Sequence, residues 1–205
     1  IVAIVRNDVT IEGFANHAGT TAMADRHDAL LSASRFVEAV NRIVTATPGR
    51  QVGTVGRIQA FPGATNVIPG RVECTLELRD LDEPKLRRLQ AEIRAEAEKI
   101  GARNGTTFTF RPSSTDHQAA LSDPTVRAWI AQASKGLGLS TKVLPSGAGH
   151  DAQNMARIAP MGMIFIPSVG GISHSPKEYS TPKDIENGVN VLLLPCGGVR
   201  AAEED

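Results

Sequence analysis

Between Arg71 and Arg79 every second residue is apolar: Val72, Cys74, Leu76 and Leu78 alternate with Arg71, Glu73, Thr75, Glu77 and Arg79. Side chains of an extended strand point to opposite faces in turn, so this run is a strand with one dry face and one wet face. A dry face must be covered, and the neighbouring sequence offers the cover. From about Arg26, residues Ala29, Leu30, Ala33, Phe36, Val37, Val40, Ile43 and Val44 form one apolar stripe at helical spacing. Asp25 is the expected N-cap of that helix, and Pro48-Gly49 its stop. Pro84 opens a second helix with Leu86, Leu89, Ile93, Ala97 and Ile100 on one face, and Gly101 is expected to end it.

Further strand patterns begin at Val9 and Ile11, run from about Val52 to Ala60, and close with Thr106 to Phe110. The order β-α-β-β-α-β predicts a ferredoxin-like, split-βαβ sandwich, in which a four-stranded sheet carries two helices on one face. This domain is read as residues 8–112, with 1–7 a connecting strand from the domain beyond.

Residues 113–205 follow a different grammar. A helix is expected from Pro124 to Lys135 and a short strand from Thr141 to Leu144. Pro145-Ser146-Gly147-Ala148-Gly149 then leads into a helix near His150. Met161 to Ile166 is continuously apolar, as in a strand buried on both faces, and a last helix starts near Pro182. Pro195-Cys196-Gly197-Gly198 is expected to break that helix, and the acidic end to fray. Strand, loop and helix in alternation is α/β organisation, with ligands expected at the strand C-termini. About ninety residues are too few to complete such a sheet. With Ile1–Val5 a β-like run lacking an initiator methionine, the chain is expected to be an internal segment.

Composition narrows the function classes. Lys and Arg number 22, as do Asp and Glu, and six Phe, one Tyr and one Trp offer little base stacking, which argues against a nucleic-acid partner. No apolar run approaches the roughly 18 residues of a membrane span, and residues 1–20 lack the features of a signal peptide. Cys74 and Cys196 make no disulfide framework, and free thiols point to the cytoplasm.

Five histidines occur, at positions 17, 27, 117, 150 and 174, with no pair at metal-binding helical spacing. HExxH, CxxC and GxSxG are all absent, leaving zincin, zinc-ribbon and serine-hydrolase readings unsupported. Gly147-Ala148-Gly149 lacks the third glycine and the ribose acid of a dinucleotide fingerprint. His27 and His117 read as surface residues. In Asn16-His17-Ala18-Gly19-Thr20-Thr21 the imidazole either caps loop backbone or donates to a polarised carbonyl oxygen. Asn66, in the turn Gly63–Gly70, reads as a residue that serves turn geometry. Arg79 is a solvated strand end or a bidentate clamp on a carboxylate. His174 follows the buried run across a glycine-rich loop, with Glu178 near enough in sequence to hold an imidazole as a metal ligand.

Together with Asn66-Val67-Ile68-Pro69-Gly70, Glu77-Leu78-Arg79-Asp80, Ser146-Gly147-Ala148-Gly149-His150-Asp151-Ala152 and Pro167 to Glu178, the His17 stretch resembles, in order, the hydantoinase/carbamoylase amidases. That family holds N-carbamoyl-L-amino-acid hydrolases, allantoate amidohydrolases and β-ureidopropionases. The resemblance implies a ferredoxin-like lid and dimerisation domain followed by part of a di-metal aminopeptidase-like α/β catalytic domain. It implies hydrolysis of the C–N bond of N-carbamoyl or ureido acids with two divalent ions, zinc or manganese. It implies His174 as the last metal ligand, His17 as the histidine that polarises the scissile carbonyl across a subunit boundary, and a homodimer through the lid. Asn66 and Arg79 would hold the substrate, Arg79 at its carboxylate, with backbone groups of Gly147, Ala148 and Gly149. His150 and Asp151 divide equally between supporting the site and capping a helix. Ala22 stands where the family usually has proline. The family's other metal ligands and its general base lie upstream of the lid, so this chain is expected to be inactive by itself. The rival reading is a non-catalytic module that dimerises or binds ureido acids without turnover.

Overall fold

A computed structural model describes the backbone of residues 1–113 and 117–201, and side chains as far as 194; the Cys196 thiol and the acidic end expected to fray lie outside the described residues. The described residues form two compact units, Ile1–Ala119 with Ser146–Gly149, and Ala120–Pro145 with the residues from His150 onward.

The first unit is mixed α/β. In chain order it contains β1 (Ala3–Glu12), β2 (Asn16–His17), α1 (Ala29–Ala46), β3 (Val52–Phe61), β4 (Val67–Ile68), β5 (Arg71–Asp80), α2 (Glu83–Asn104) and β6 (Thr107–Pro112). The four long strands make one antiparallel sheet in the order β3-β5-β1-β6, while β2 and β4 form a separate two-stranded ladder. The runs at Ile1–Val5 and Val9–Ile11 prove to be one strand, paired with β5 from Ala3↔Asp80 to Glu12↔Arg71. Val72, Cys74, Leu76 and Leu78 are fully buried with Val9 and Ile11, and Ala33, Phe36, Val40, Leu86, Ile93 and Ile100 of the helices close over them. Phe36 packs against Phe108 and Phe110 of β6, with ring centroids 5.6 and 5.9 Å apart.

The helix ends differ from the expectation. Asp28, not Asp25, caps α1, its Oδ1 accepting from the N–H groups of Leu30 (2.9 Å) and Leu31 (3.0 Å). A cap must reach the second and third helical N–H groups, and Asp25 instead ends a short 3-10 turn. Leu30 and Val37 sit at the margin of the stripe and stay partly exposed. Helix α2 runs past Gly101 to Asn104 and ends on Gly105 in the left-handed conformation (φ +63°). Gly101 is there for close approach, since a Cβ would lie 2.5 Å from the Thr106 carbonyl oxygen.

The second unit contains α3 (Pro124–Gly136), the single turn α4 (Ala152–Met155) and α5 (Pro182–Ala201). Asp123 caps α3 through Thr125 and Val126, with Pro124 in the first turn. Neither Thr141–Leu144 nor Met161–Ile166 is a strand among the described residues. A strand exists only with a neighbour to share its ladder, and no described segment pairs with either run. Phe165 is 52% exposed, where burial on both faces was expected. Helix α5 passes through Pro195, which removes one intrahelical donor without ending the helix. No helix of the described residues is long and apolar enough to cross a membrane.

Candidate functional site

The ladder β2–β4 brings together two loops that are far apart in sequence. Asn16 pairs with Ile68 and His17 with Val67, and the Ala18 N–H donates to the Asn66 carbonyl oxygen at 2.9 Å. His17 and Asn66 are therefore neighbours, both exposed. The His17 loop is braced on itself. Asn16 Oδ1 accepts the His17 N–H (2.8 Å) and the Thr21 hydroxyl donates to the His17 carbonyl (2.8 Å). The Arg26 guanidinium donates from Nη2 to the carbonyls of Ala18 (2.6 Å) and Thr21 (3.0 Å).

The imidazole serves loop backbone and still keeps a free working end. The Gly19 N–H donates to His17 Nδ1 at 3.0 Å. A nitrogen that accepts carries no proton, so the neutral ring is the Nε2–H tautomer, with Nε2 as a donor. At Gly19 a Cβ would lie 3.2 Å from His17 Cε1, so any side chain there would press on the ring.

Arg79 lies near the far end of β5 on the open face of the sheet, its side chain 27% exposed. Its Nε donates to Glu77 Oε1 (2.7 Å) and its Nη1 to the Gly147 carbonyl (2.7 Å). Glu77 Oε2 accepts from Arg6 Nε at 2.8 Å, and Arg6 is the cross-strand partner of Glu77. Burial alone would raise the Glu77 carboxyl, but hydrogen bonds from Arg79 and Arg6 outweigh it and hold the group below the usual carboxylate range. The Gly147 stretch is tied to the same unit by the Val2 N–H, which donates to the Ser146 carbonyl at 3.0 Å. Gly147, Ala148 and Gly149 themselves are exposed.

Asn66 thus stands with His17 and not with Arg79. Eight residue steps of β5 separate Arg71, at the His17 end, from Arg79, which is about 25 Å of strand. Within one copy the two groups do not reach one small molecule.

In the second unit His174 is the one non-glycine residue of the described chain with positive φ (+55°), a conformation that costs a β-carbon residue energy and persists only where the surroundings enforce it. Its N–H donates to Glu178 Oε2 at 2.8 Å. Glu178 therefore holds the His174 backbone, where an acceptor for the ring was expected. Among the described residues no group of three or more His, Cys, Asp or Glu could hold a metal ion. The Asp151 side chain makes no capping bond to α4, and the His150 ring packs edge-on against Phe165 at 5.7 Å. His27 and His117 are exposed, and His27 Nδ1 lies 2.8 Å from the Gly105 carbonyl oxygen.

Sequence reasoning missed the supporting residues. Arg26 braces carbonyls five and eight residues back, a spacing with no motif behind it. Glu77 and Arg6 were more accessible, since period-two alternation already puts Glu77 on the face of Arg79.

Comparison with known proteins agrees along the chain. The profile of peptidase family M20/M25/M40 matches residues 12–194. The chain is 40% identical over 187 residues to a ureidoglycolate hydrolase of Oryza sativa subsp. japonica, covering 91% of this chain and 39% of that protein. It is 38% identical over 192 residues to an N-carbamoyl-L-amino acid amidohydrolase of Geobacillus stearothermophilus, covering 94% and 46%. A crystal structure of an amidase of the hydantoinase/carbamoylase family from Burkholderia multivorans superposes with a TM-score of 0.85 at 38% identity, over 94% of this chain and 47% of that one. The chain spans less than half the length of these relatives. By the extent of that match the chain belongs to peptidase family M20/M25/M40, on the side of it occupied by the hydantoinase/carbamoylase amidases.

Proposed function

We propose that the chain supplies substrate recognition to an amidohydrolase that cleaves the C–N bond of N-carbamoyl or ureido acids, of the N-carbamoyl-L-amino acid or allantoate type. The observation that carries this reading is the Arg79 guanidinium, half-buried, steered by Glu77 and Gly147, and with Nη2 making no hydrogen bond among the described residues. A ureido acid presents a carboxylate to such a cation and a carbamoyl oxygen to the Nε2–H of His17. Arg79 clamps the acid end, backbone groups of Gly147, Ala148 and Gly149 border it, and Asn66 holds the ureido part. His17 donates to the carbonyl oxygen as negative charge builds there, without needing to change its own protonation state.

The separation of the two groups supports a homodimer. If His17 and Asn66 act on the molecule that Arg79 holds, they must come from a second copy. In this reading the first unit is a ferredoxin-like lid and dimerisation domain, whose sheet edges β3 and β6 are open to pairing, and the second unit is part of the α/β catalytic domain.

Two divalent ions, zinc or manganese, belong to the complete enzyme in this reading, with His174 as one ligand. The donor set of the described residues does not make such a site, so the metal chemistry rests on groups outside them. The same observation favours the rival, a module that binds ureido acids without turnover.

The test of the substrate class is a titration of the chain with N-carbamoyl-L-methionine and with its carboxamide, on wild type and Arg79→Lys. Lysine keeps the charge and loses the planar fork, so the acid is expected to lose about 1.5–3 kcal/mol and the amide almost nothing. An equal loss on both probes would make Arg79 a structural strand end.

A further inference from the structure

The Arg79 guanidinium has five N–H groups, and the structure shows where two of them go: Nε to Glu77 Oε1 and Nη1 to the Gly147 carbonyl, each at 2.7 Å. Such a group can grip a carboxylate bidentately along either of two edges. One is the side-on edge, Nε with its neighbouring Nη; the other is the end-on edge, formed by the two Nη atoms. Glu77 already occupies the side-on edge through Nε. Glu77 is itself pinned, because its second oxygen accepts from Arg6 Nε at 2.8 Å and Arg6 stands directly opposite it across β1 and β5.

We infer that Glu77 is the positioning residue for Arg79: with Nε held by Glu77 and Nη1 engaged by the Gly147 carbonyl, it turns Nη2 outward to take the carboxylate of the ligand. This rests on Arg79 as the carboxylate clamp and adds which nitrogen leads the grip and what aims it. Two guanidinium groups thus flank the Glu77 carboxylate. With its acidity strengthened by both arginines, Glu77 is ionised at neutral pH and holds Arg79 by charge as well as by hydrogen bond.

Aim and charge make opposite demands, and that makes the inference testable. Glu77 is an anion beside the place where a second anion binds. If it acted only through its field, removing the charge would tighten carboxylate binding. If it positions Arg79, removing the charge lets the guanidinium swing and weakens binding.

The experiment measures dissociation constants of N-carbamoyl-L-methionine and its carboxamide on the full chain by NMR titration, for wild type, Glu77→Gln, Glu77→Asp and Arg79→Lys. Wild type is expected to prefer the acid. Glu77→Gln should lose roughly tenfold on the acid and almost nothing on the amide, and Glu77→Asp, which keeps the charge on a shorter stem, should recover part of the loss. The Arg79 Nε–Hε resonance gives a reading independent of any ligand, expected to shift and to exchange faster in Glu77→Gln. Acid binding in Glu77→Gln equal to or tighter than wild type, or an unmoved Arg79 resonance, overturns the inference while leaving the clamp intact. No preference for the acid in wild type, or no loss in Arg79→Lys, overturns the clamp itself and this inference with it. Should Glu77→Gln not fold, the Glu77→Asp comparison and its Arg79 resonance decide alone, and an Asp variant identical to wild type in both overturns the positioning role.

Discussion

The Gly19 backbone N–H points at His17 Nδ1 across 3.0 Å, and that contact decides which ring nitrogen carries the proton. An imidazole that accepts at Nδ1 is protonated at Nε2 when neutral. Long-range proton–nitrogen NMR in mildly basic solution should therefore show the Nε2–H tautomer at His17. Gly19→Ala would place a methyl 3.2 Å from Cε1, so its expected effect is a mixture of tautomers. A predominantly Nδ1–H ring in the wild type would remove His17 as an oriented donor.

Two glycines at helical positions should respond to alanine with opposite signs. At Gly101 a Cβ meets the Thr106 carbonyl oxygen at 2.5 Å, between α2 and the start of β6, where backbone cannot give way cheaply. Gly101→Ala is expected to cost about 1–3 kcal/mol. At Gly136, the last residue of α3, a Cβ meets nothing within 4 Å, so alanine gains only the helix preference, about 0.5–1 kcal/mol. Urea midpoints measure both, and a destabilised Gly136→Ala would contradict the open surroundings of that site.

Much of the first unit was legible because its signals are local and periodic. The alternation along β5 and the stripe of α2 each repeat several times within one element, so the buried set of Leu76, Leu78, Leu86, Leu89 and Ile93 follows from spacing. The pairing of His17 with Asn66 was not legible. It rests on a ladder of two-residue strands, too short to carry any period, and on Arg26 reaching back to carbonyl groups that every residue possesses. The run Met161–Ile166 misled for a related reason. A continuous apolar stretch reports a demand for burial and says nothing about whether a partner strand is at hand.

Asp80 gives a pH dependence whose sign can be fixed in advance. Its carboxylate, 9% exposed, forms an ion pair with Lys85 and accepts the Asp82 N–H at 3.0 Å. Burial pushes its pKa up, yet the hydrogen bonds from Lys85 and Asp82 and the Lys85 charge bring it below the ordinary aspartate value of 3.8. A carboxyl that is more acidic when folded contributes stability that is complete above the unfolded pKa and is lost as pH falls through the folded one. Asp80→Asn should thus be less stable than wild type at neutral pH. The gap should hold down to the unfolded value of 3.8 and close only below it. A gap that persists unchanged in stronger acid would assign the loss to packing instead of charge.

Metal content separates the amidohydrolase reading from its rival. Zinc in proteins is held by at least three side chains, and a lone imidazole competes poorly with water and buffer. His174 is the only residue of this chain proposed as a ligand, and the described residues assemble no group of three or more donors around any point. After dialysis the chain should retain well under one equivalent of zinc or manganese, unchanged in His174→Ala, and should not hydrolyse N-carbamoyl-L-methionine. A protein carrying this chain together with the remaining length of the Geobacillus relative should behave differently. It is expected to hold about two ions, as two-metal hydrolases do, and His174→Ala should lower that content and abolish turnover. Two ions retained in the joined protein without any turnover of ureido acids would favour the binding module. Chelator-sensitive turnover by the 205-residue chain alone would show that metal ligands lie in this sequence where neither its motifs nor its geometry place them.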